Sequence, residues 1–486
     1  MTSTRSNLLY TIAFNVFGIL TPLVTYPYIT RVLGPGNLGS VGVANGLAAY
    51  FIAFAGLGLI PYGVRVAAVE RRDPALLSRT VSELFLVQLV VSALSFAAYL
   101  GVVLFSPAYA PMASLFAVVG AQIALAPLGF DWLFQGLEDF RFIGLRNMIL
   151  QAATLVALFV FVRKPEDFVV YAGLASATTL ASGLVSSARA VARTRPVLRG
   201  LAPGRHLKGL LSFTGINFLI AAYTNADFLS LGLFSTTQEA GYYTIPIKLA
   251  RLTAVLGASL STVLLPKLAA YASSGDEEGA RATLRRSSSF LLLFALPAGA
   301  GLAATADRLV AIFGGPGYES AVPTLRAAAL LVPLFTFTNF LQMQVLVPRG
   351  KEGRLAMAFG AGLGAAALAN ALLTPRFGHD GTMAATIIAE ATVLAVQVAG
   401  TGRREAAAMI DGKSAIRYLC GAGLAAAAAW AACRLPLGAV PAFCAAVAAA
   451  VVLYVSFLVI LRDPEAFSLL AWGRGFLPGQ KPRGRG

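Results

Sequence analysis

Lys248 and Arg251 stand one helical turn apart inside the apolar stretch 240–265 of a 486-residue chain. A cation at the centre of a bilayer costs roughly 2.5–3.5 kcal/mol on insertion scales. Residues three apart share a helix face, so a chain that keeps both lines a polar cavity with them. The chemistry this offers is capture of an anion. Asp227 sits on the preceding apolar stretch. Counted from the turn between the two stretches, Asp227 and Lys248 lie at similar depths, roughly 13 and 16 Å at 1.5 Å per residue. Lys248 is therefore as well suited to a buried ion pair with Asp227 as to a ligand. Arg251 lies a turn deeper, has no comparable carboxylate in that hairpin, and is the better anion ligand. Gly241-Tyr242-Tyr243 adds aromatic surface for a sugar or lipid, or an anchor at the membrane interface.

Arg31 ends the first apolar stretch and either snorkels to headgroups or lines the outer rim of the cavity. Arg326 has the same two readings, and Arg308 is a weaker version of them. Among acids, Glu390 is the deepest, and a mid-membrane carboxylate is a natural site for proton or cation coupling. Asp131 and Glu83 lie near inner ends, where Arg79, Arg141 or Arg146 can pair with them; Asp131 and Asp227 join Glu390 as coupling candidates. Asn15, Asn217, Asn225, Asn339, Gln342 and Gln344 offer hydrogen bonds to hydroxyls or between helices. No nucleophile–base pair is visible, so the chain is read as a non-enzyme without a cofactor. Cys420, Cys433 and Cys444 suggest neither a disulfide framework nor a metal site, and His206 and His379 lack ligand partners at metal spacing.

The elements that must position these groups are membrane helices. The sequence is 57% hydrophobic and 12% charged, with mean hydropathy +0.74. About 20 apolar residues cross a bilayer, and continuous runs of that length recur along the chain. The spacing predicts an all-α polytopic membrane protein with about fourteen spans, the first at 8–33 and the last at 439–461. No cleavable signal is expected at the start. The net charge of +16 does not indicate nucleic acid, because its distribution follows the positive-inside rule. Of the 38 lysines and arginines, 29 flank span ends on one side, and Lys248, Arg251, Arg308 and Arg326 lie within or at the edge of spans. The opposite ends carry only Arg31, Arg163, Lys164, Arg376 and Arg434. Both termini are thus expected in the cytoplasm, and basic loops can touch anionic lipid.

The basic linker 193–208 divides the spans into six before and eight after. Asn15 and Gly39 are spaced like Asn217 and Gly241, each glycine opening the span after a short outer turn. The echo predicts parallel six-helix repeats with the substrate path between them. The expected organisation is an N-lobe at 1–192, the linker at 193–208, a C-lobe at 209–401, two appended helices at 402–462 and a cytoplasmic tail at 463–486. The loop 270–287 reads as a short polar helix or a flexible link, and Pro464 to Trp472 as an interfacial helix. No P-loop is present.

Several stretches resemble the polysaccharide transporter family, which includes flippases for O-antigen and other undecaprenyl-linked oligosaccharides. They are Arg31-Val32-Leu33-Gly34-Pro35 with Leu38-Gly39, Asp131-Trp132-Leu133-Phe134-Gln135-Gly136-Leu137-Glu138 with Phe140 and Arg141, and Asp227 with Gly241-Tyr242-Tyr243 and Lys248. The resemblance implies the multidrug/oligosaccharidyl-lipid/polysaccharide exporter fold, with two six-helix lobes in a V, alternating access and two further helices. It implies a bacterial inner-membrane flippase for an isoprenoid-diphosphate-linked oligosaccharide. Lipid-linked oligosaccharide and membrane lipids would be its partners, with a polysaccharide polymerase and glycosyltransferases as further candidates. The substrate-binding set is then Arg31, Lys248, Arg251, Arg326 and Asn217, because a diphosphate needs cations. Competing readings are a flippase for the peptidoglycan lipid precursor and a cation-coupled multidrug antiporter. The antiporter predicts an acidic cavity, and the first two spans carry no acid.

Overall fold

The computed structural model describes residues 4–467, leaving out the side chains of 4–17, 19, 256–263, 266, 272 and 403–404. Asn15 and Arg5 therefore lie outside the described side chains, and most of the expected tail helix lies outside the described residues. Among the described residues the chain is helical, without strands. The helices are α1 (Thr4–Gly56), α2 (Leu59–Glu70), α3 (Pro74–Phe105), α4 (Ala113–Leu125), α5 (Asp131–Gly136), α6 (Phe140–Phe161), α7 (Phe168–Thr194), α8 (Gly204–Phe234) and α9 (Thr237–Ser274). They continue with α10 (Glu277–Ala304), α11 (Ala306–Phe313), α12 (Ala321–Ala328), α13 (Leu331–Phe340), α14 (Glu352–Thr401), α15 (Arg403–Ala408), α16 (Gly412–Cys433) and α17 (Ala439–Ile460). A π-helical segment, Leu341–Leu346, continues α13.

Among the described residues, eleven stretches are long and apolar enough to cross a membrane. Two of them, Leu20–Glu70 and Glu352–Thr401, bend sharply at a non-helical glycine, Gly34 and Gly378 respectively. Counting each bent helix as two crossings and adding the 38-residue α9 gives the fourteen spans expected from the sequence. The bends replace the hairpin loops that the sequence suggests. Gly34 has φ 71° and ψ 173°, a backbone region costly for any residue with a Cβ. Pro35 then opens the next helix, where its missing N–H is no loss. The 270–287 loop is also shorter than a free link: Gly275, at φ 72°, turns the chain, and the Asp276 carboxylate accepts the Gly279 N–H at 2.8 Å to cap α10.

The chain forms two compact units. The first comprises Met1–Thr244 and Ala366–Ala385. Its core packs Leu84, Trp132, Phe134, Ala190 and Leu210 from α3, α5, α7 and α8. A second cluster joins Ile29, Leu33 and Leu38 of α1 to Leu158 and Val162 at the end of α6. The second unit comprises Ile245–Ala365 and Thr386–Gly486. There Leu268, Leu291, Phe340 and Val345 bring α9, α10, α13 and the π segment together. Leu292, Tyr418 and Tyr454 pack α10 against α16 and α17. Large apolar side chains such as Phe105, 91% exposed, face outward, as suits a lipid solvent.

Candidate substrate and coupling sites

In the first unit, α8 lies along the second half of α1 on a glycine face. A Cβ at Gly42 or Gly46 would meet the Phe228 side chain at 2.7 or 2.8 Å. Small residues allow this close approach of helices within a membrane. The two glycines of the sequence echo meet here. A Cβ on Gly39 would fall on the Thr237 carbonyl and stand 2.5 Å from the Gly241 nitrogen. A Cβ on Gly241 would fall on the Pro35 carbonyl oxygen and stand 2.7 Å from the Pro35 Cα. Each glycine admits the backbone that leads into the other.

Asp227 is buried on this helix pair, 4% exposed, and accepts a 2.6 Å hydrogen bond from the Tyr243 hydroxyl. Tyr243 also meets Phe228 edge-on at 5.6 Å. Asn217 is half-buried on α8, and the Asn225 amide donates to the Ala221 carbonyl at 2.9 Å. Arg31 is exposed and donates to the Pro27 carbonyl one turn back. A contact that sequence reading missed lies at the Gly378 bend. The His379 N–H donates to the Glu239 carboxylate at 2.9 Å, and the imidazole Nδ1 meets the same oxygen. The Tyr242 ring lies 5.3 Å from that imidazole. The only signal in the sequence was that Glu239 and His379 both fall at span ends expected on one side.

Elsewhere in the first unit, the Asp131–Glu138 motif acts as a tie. Arg146, itself 6% exposed, donates to both oxygens of Asp131 at 2.7 and 3.0 Å. Glu138 accepts from Arg71 at 2.9 Å, and Asp139 from Arg189 at 2.8 Å. The motif and the Asp139 that follows it thus fasten this segment to α2, α6 and α7. Glu83, fully buried, gathers Arg79 Nε at 2.9 Å, Arg205 Nε at 2.6 Å and the Ala202 N–H at 2.8 Å. His206 bridges Glu83 and the Tyr62 hydroxyl, with both contacts at 2.8 Å. The end of the basic linker is therefore clasped to α3. His206, in a basic loop by sequence, is 4% exposed.

In the second unit, Lys248 and Arg251 are each half-buried, beside the buried Ile247, Leu249 and Ala250. Glu390, 2% exposed, is hydrogen-bonded to the Thr338 hydroxyl. Asn339 follows Thr338 on α13, and Gln344, on the π segment, is 2% exposed. Arg326 pairs with Asp307 at 2.7 Å near the surface, and the Arg308 Nε donates to the Cys433 carbonyl at 3.1 Å. Neither pairing was visible from span positions alone.

The profile of a family described as "Polysaccharide biosynthesis protein" matches residues 4–272, more than half of the chain. The chain belongs to that family. It is similar to the Escherichia coli (strain K12) protein named "Putative O-antigen transporter", 24% identical over 364 residues, which are 71% of this chain and 84% of that protein. Among solved structures it resembles the lipid II flippase MurJ in an inward closed conformation. The TM-score is 0.72 at 15% identity, over 94% of this chain and 99% of that one. It also resembles an inward-facing multidrug resistance MATE transporter of the MOP superfamily. There the TM-score is 0.62 at 15% identity, over 80% of this chain and 94% of that one. At such identities the likeness shows the fold. This member of the polysaccharide biosynthesis family is a multi-pass membrane protein with the fold of the multidrug/oligosaccharidyl-lipid/polysaccharide exporters.

Proposed function

We propose that the protein is a flippase that moves an undecaprenyl-diphosphate-linked oligosaccharide from the inner to the outer leaflet of the bacterial cytoplasmic membrane by alternating access. The observation that carries this reading is the pair of half-buried cations, Lys248 and Arg251, within a helix of an O-antigen-transporter-like chain. A lipid diphosphate is an anion that must cross an apolar layer, and charge-assisted hydrogen bonds from cations suit it. In this reading Arg251 is the principal diphosphate ligand. Lys248 is shared between that role and Asp227, Arg31 and Arg326 touch the substrate at the outer rim, and Asn217 meets a sugar hydroxyl. Residues 1–192 and 209–401 act as the two lobes, joined by the linker 193–208, with 402–462 as appended helices and 463–486 as tail. Both termini lie in the cytoplasm, and a polysaccharide polymerase and glycosyltransferases are candidate partners for the glycan's synthesis and use. Glu390 is the first candidate for ion coupling. Asp227 and Asp131 are weaker ones, because Tyr243 and Arg146 already engage their carboxylates.

Deletion of the gene tests this reading, followed by measuring the leaflet on which lipid-linked glycan accumulates. Accumulation on the inner leaflet, with loss of surface polysaccharide, is expected. Normal surface polysaccharide would overturn the proposal. Arg251→Ala tests the anion site: flipping is expected to fall at least tenfold, about 1.4 kcal/mol of substrate stabilisation, with partial rescue by Arg251→Lys. Unchanged flipping in a stable Arg251→Ala protein would remove Arg251 from the site.

A further inference from the structure

In the second unit the charged start of α10 faces a cavity of about 1000 Å³. Its other walls are the connection between α15 and α16, at Ile410 and Asp411, and the chain that follows α17, at Pro464 and Glu465. Two ion pairs hold these walls together, Arg285 with Asp411 at 2.8 Å and Arg286 with Glu465 at 3.6 Å. Glu277, Glu278 and Arg281 also line the cavity, and none of the three has an ion-pair partner among the described residues. One turn past Arg285 lies Ser289, 6% exposed, whose hydroxyl lines the same cavity and has no hydrogen-bond partner among the described residues. A buried hydroxyl left without a partner calls for water, an ion or a ligand group.

We propose that this cavity binds the headgroup of one zwitterionic phospholipid with a primary ammonium, phosphatidylethanolamine. The lining carries three arginines and four carboxylates. An anion alone leaves the acids unmatched, and a cation alone leaves Arg281 unmatched. A group with both charges answers both. The order of charge along α10 also fits. Residues 290–304 of this helix carry no charge and form the apolar part of its membrane-crossing stretch. Arg281 stands about one turn, roughly 5 Å, nearer to that part than Glu277 and Glu278. In a phospholipid the phosphate likewise lies next to the acyl chains, and the ammonium lies beyond it. Arg281 therefore meets the phosphate with charge-assisted hydrogen bonds, and the Ser289 hydroxyl is a further donor. Glu277 and Glu278 meet the ammonium, whose N–H groups need acceptors.

Phe290 and Phe294 select a lipid over a soluble phosphate. They continue the face of Arg286 at four-residue spacing, their rings stand 5.0 Å apart, and Phe294 is exposed. An acyl chain that leaves the headgroup site runs over them. An occupied site ties α10 to α16 and to the chain that follows α17, which gives the two appended helices a lipid-binding role. In the orientation proposed above the site faces the inner leaflet; the binding itself does not rest on the flippase reading.

The test is native mass spectrometry of the full-length protein, delipidated in detergent and titrated with dioleoyl phosphatidylethanolamine, phosphatidylglycerol or phosphatidylcholine. One phosphatidylethanolamine is expected to be held at least tenfold more tightly than either of the others. Arg281→Ala is expected to weaken it at least tenfold, and Glu277→Gln with Glu278→Gln to abolish the preference over phosphatidylglycerol. All three side chains are exposed, so these variants are expected to keep the wild-type melting temperature. Arg163→Ala, at an exposed arginine of the first unit, is the control and leaves binding unchanged. Soluble phosphoethanolamine is expected to displace the lipid only at 100-fold excess or more. Equal retention of the three lipids overturns the proposal, as does a preference for phosphatidylglycerol. So does phosphatidylethanolamine binding that Arg281→Ala leaves intact. Displacement by equimolar phosphoethanolamine would make the free headgroup, and not the lipid, the occupant, and would overturn it too. No flipping substrate is present, so failure of the flipping assay does not alter this readout.

Discussion

Alanine at Gly39 or Gly241 is expected to force α1 and the first turns of α9 apart. At Gly39 the new Cβ would stand 2.5 Å from the Gly241 nitrogen and 2.8 Å from the Thr237 carbonyl carbon, against 3.4–4 Å for ordinary contact. At Gly241 it would stand 2.5 Å from the Pro35 carbonyl carbon and 2.7 Å from the Pro35 Cα. All of these are backbone atoms, so no side chain can swing aside and the helices must retreat by about 1 Å or separate. Overpacking costs roughly 1–3 kcal/mol, and rigid backbone on both sides puts this contact near the top of that range. About 3 kcal/mol multiplies the separated population about 100-fold. Ser40, 5% exposed and next to Gly39, reports on it. With Cys420, Cys433 and Cys444 replaced, Ser40→Cys reacts with a maleimide at a rate set by the open fraction when reclosing is fast. Gly241→Ala is expected to raise that rate about 100-fold. Gly39→Ala plus Gly241→Ala is expected to add less than the two separately, because both disturb one contact. Gly101→Ala, with nothing within 4 Å of its Cβ, is the control and leaves the rate unchanged. A Gly241→Ala rate equal to that of the control would refute the close-approach account.

Asp131→Ala leaves the buried Arg146 guanidinium without its carboxylate and is expected to cost about 3 kcal/mol, read as a lower melting temperature of the purified protein. Arg146→Met with Asp131→Leu is expected to recover part of that loss. Glu83→Ala strands Arg79, Arg205 and His206 and is expected to lower the melting temperature more than His206→Ala, which removes one of the four donors to Glu83. Asp411 caps α16, and hydrogen bonds from Ser414 and then Arg285 hold its carboxyl below the ordinary aspartate value. A depressed pKa stabilises the fold in full above the unfolded value, about 3.9, and the gain is lost as pH falls through the folded value. Asp411→Ala is therefore expected to cost about 1 kcal/mol at neutral pH. The gap from wild type should close on acidification, and a gap that widens would contradict the sign.

The spans were legible because a bilayer demands long continuous apolar runs, and the run lengths gave fourteen crossings without reference to packing. The bends at Gly34 and Gly378 were legible as turns but not as near-continuous helix, since that depends on one residue's φ. The echo of Gly39 and Gly241 was visible as spacing. Its physical cause, two backbones each needing the other's missing Cβ, was not. Charge partners were partly legible: Asp131 with Arg146 and Glu83 with Arg79 are close in sequence or depth. The contacts Glu83–His206 and Glu239–His379 join residues 123 and 140 apart, and no local pattern encodes them. The π segment after α13 has no compositional mark at all.

The most direct test of the flippase reading is translocation by the purified protein in proteoliposomes. The substrate is undecaprenyl-diphosphate-linked oligosaccharide placed in one leaflet and read by its accessibility to a membrane-impermeant glycan-modifying enzyme, with the peptidoglycan lipid precursor as the comparison lipid. The expected result is movement of the oligosaccharide lipid at least tenfold faster than in protein-free vesicles, with Arg251→Ala falling toward the protein-free rate. Movement of the peptidoglycan precursor alone, or of neither lipid by a protein that remains folded, would contradict it.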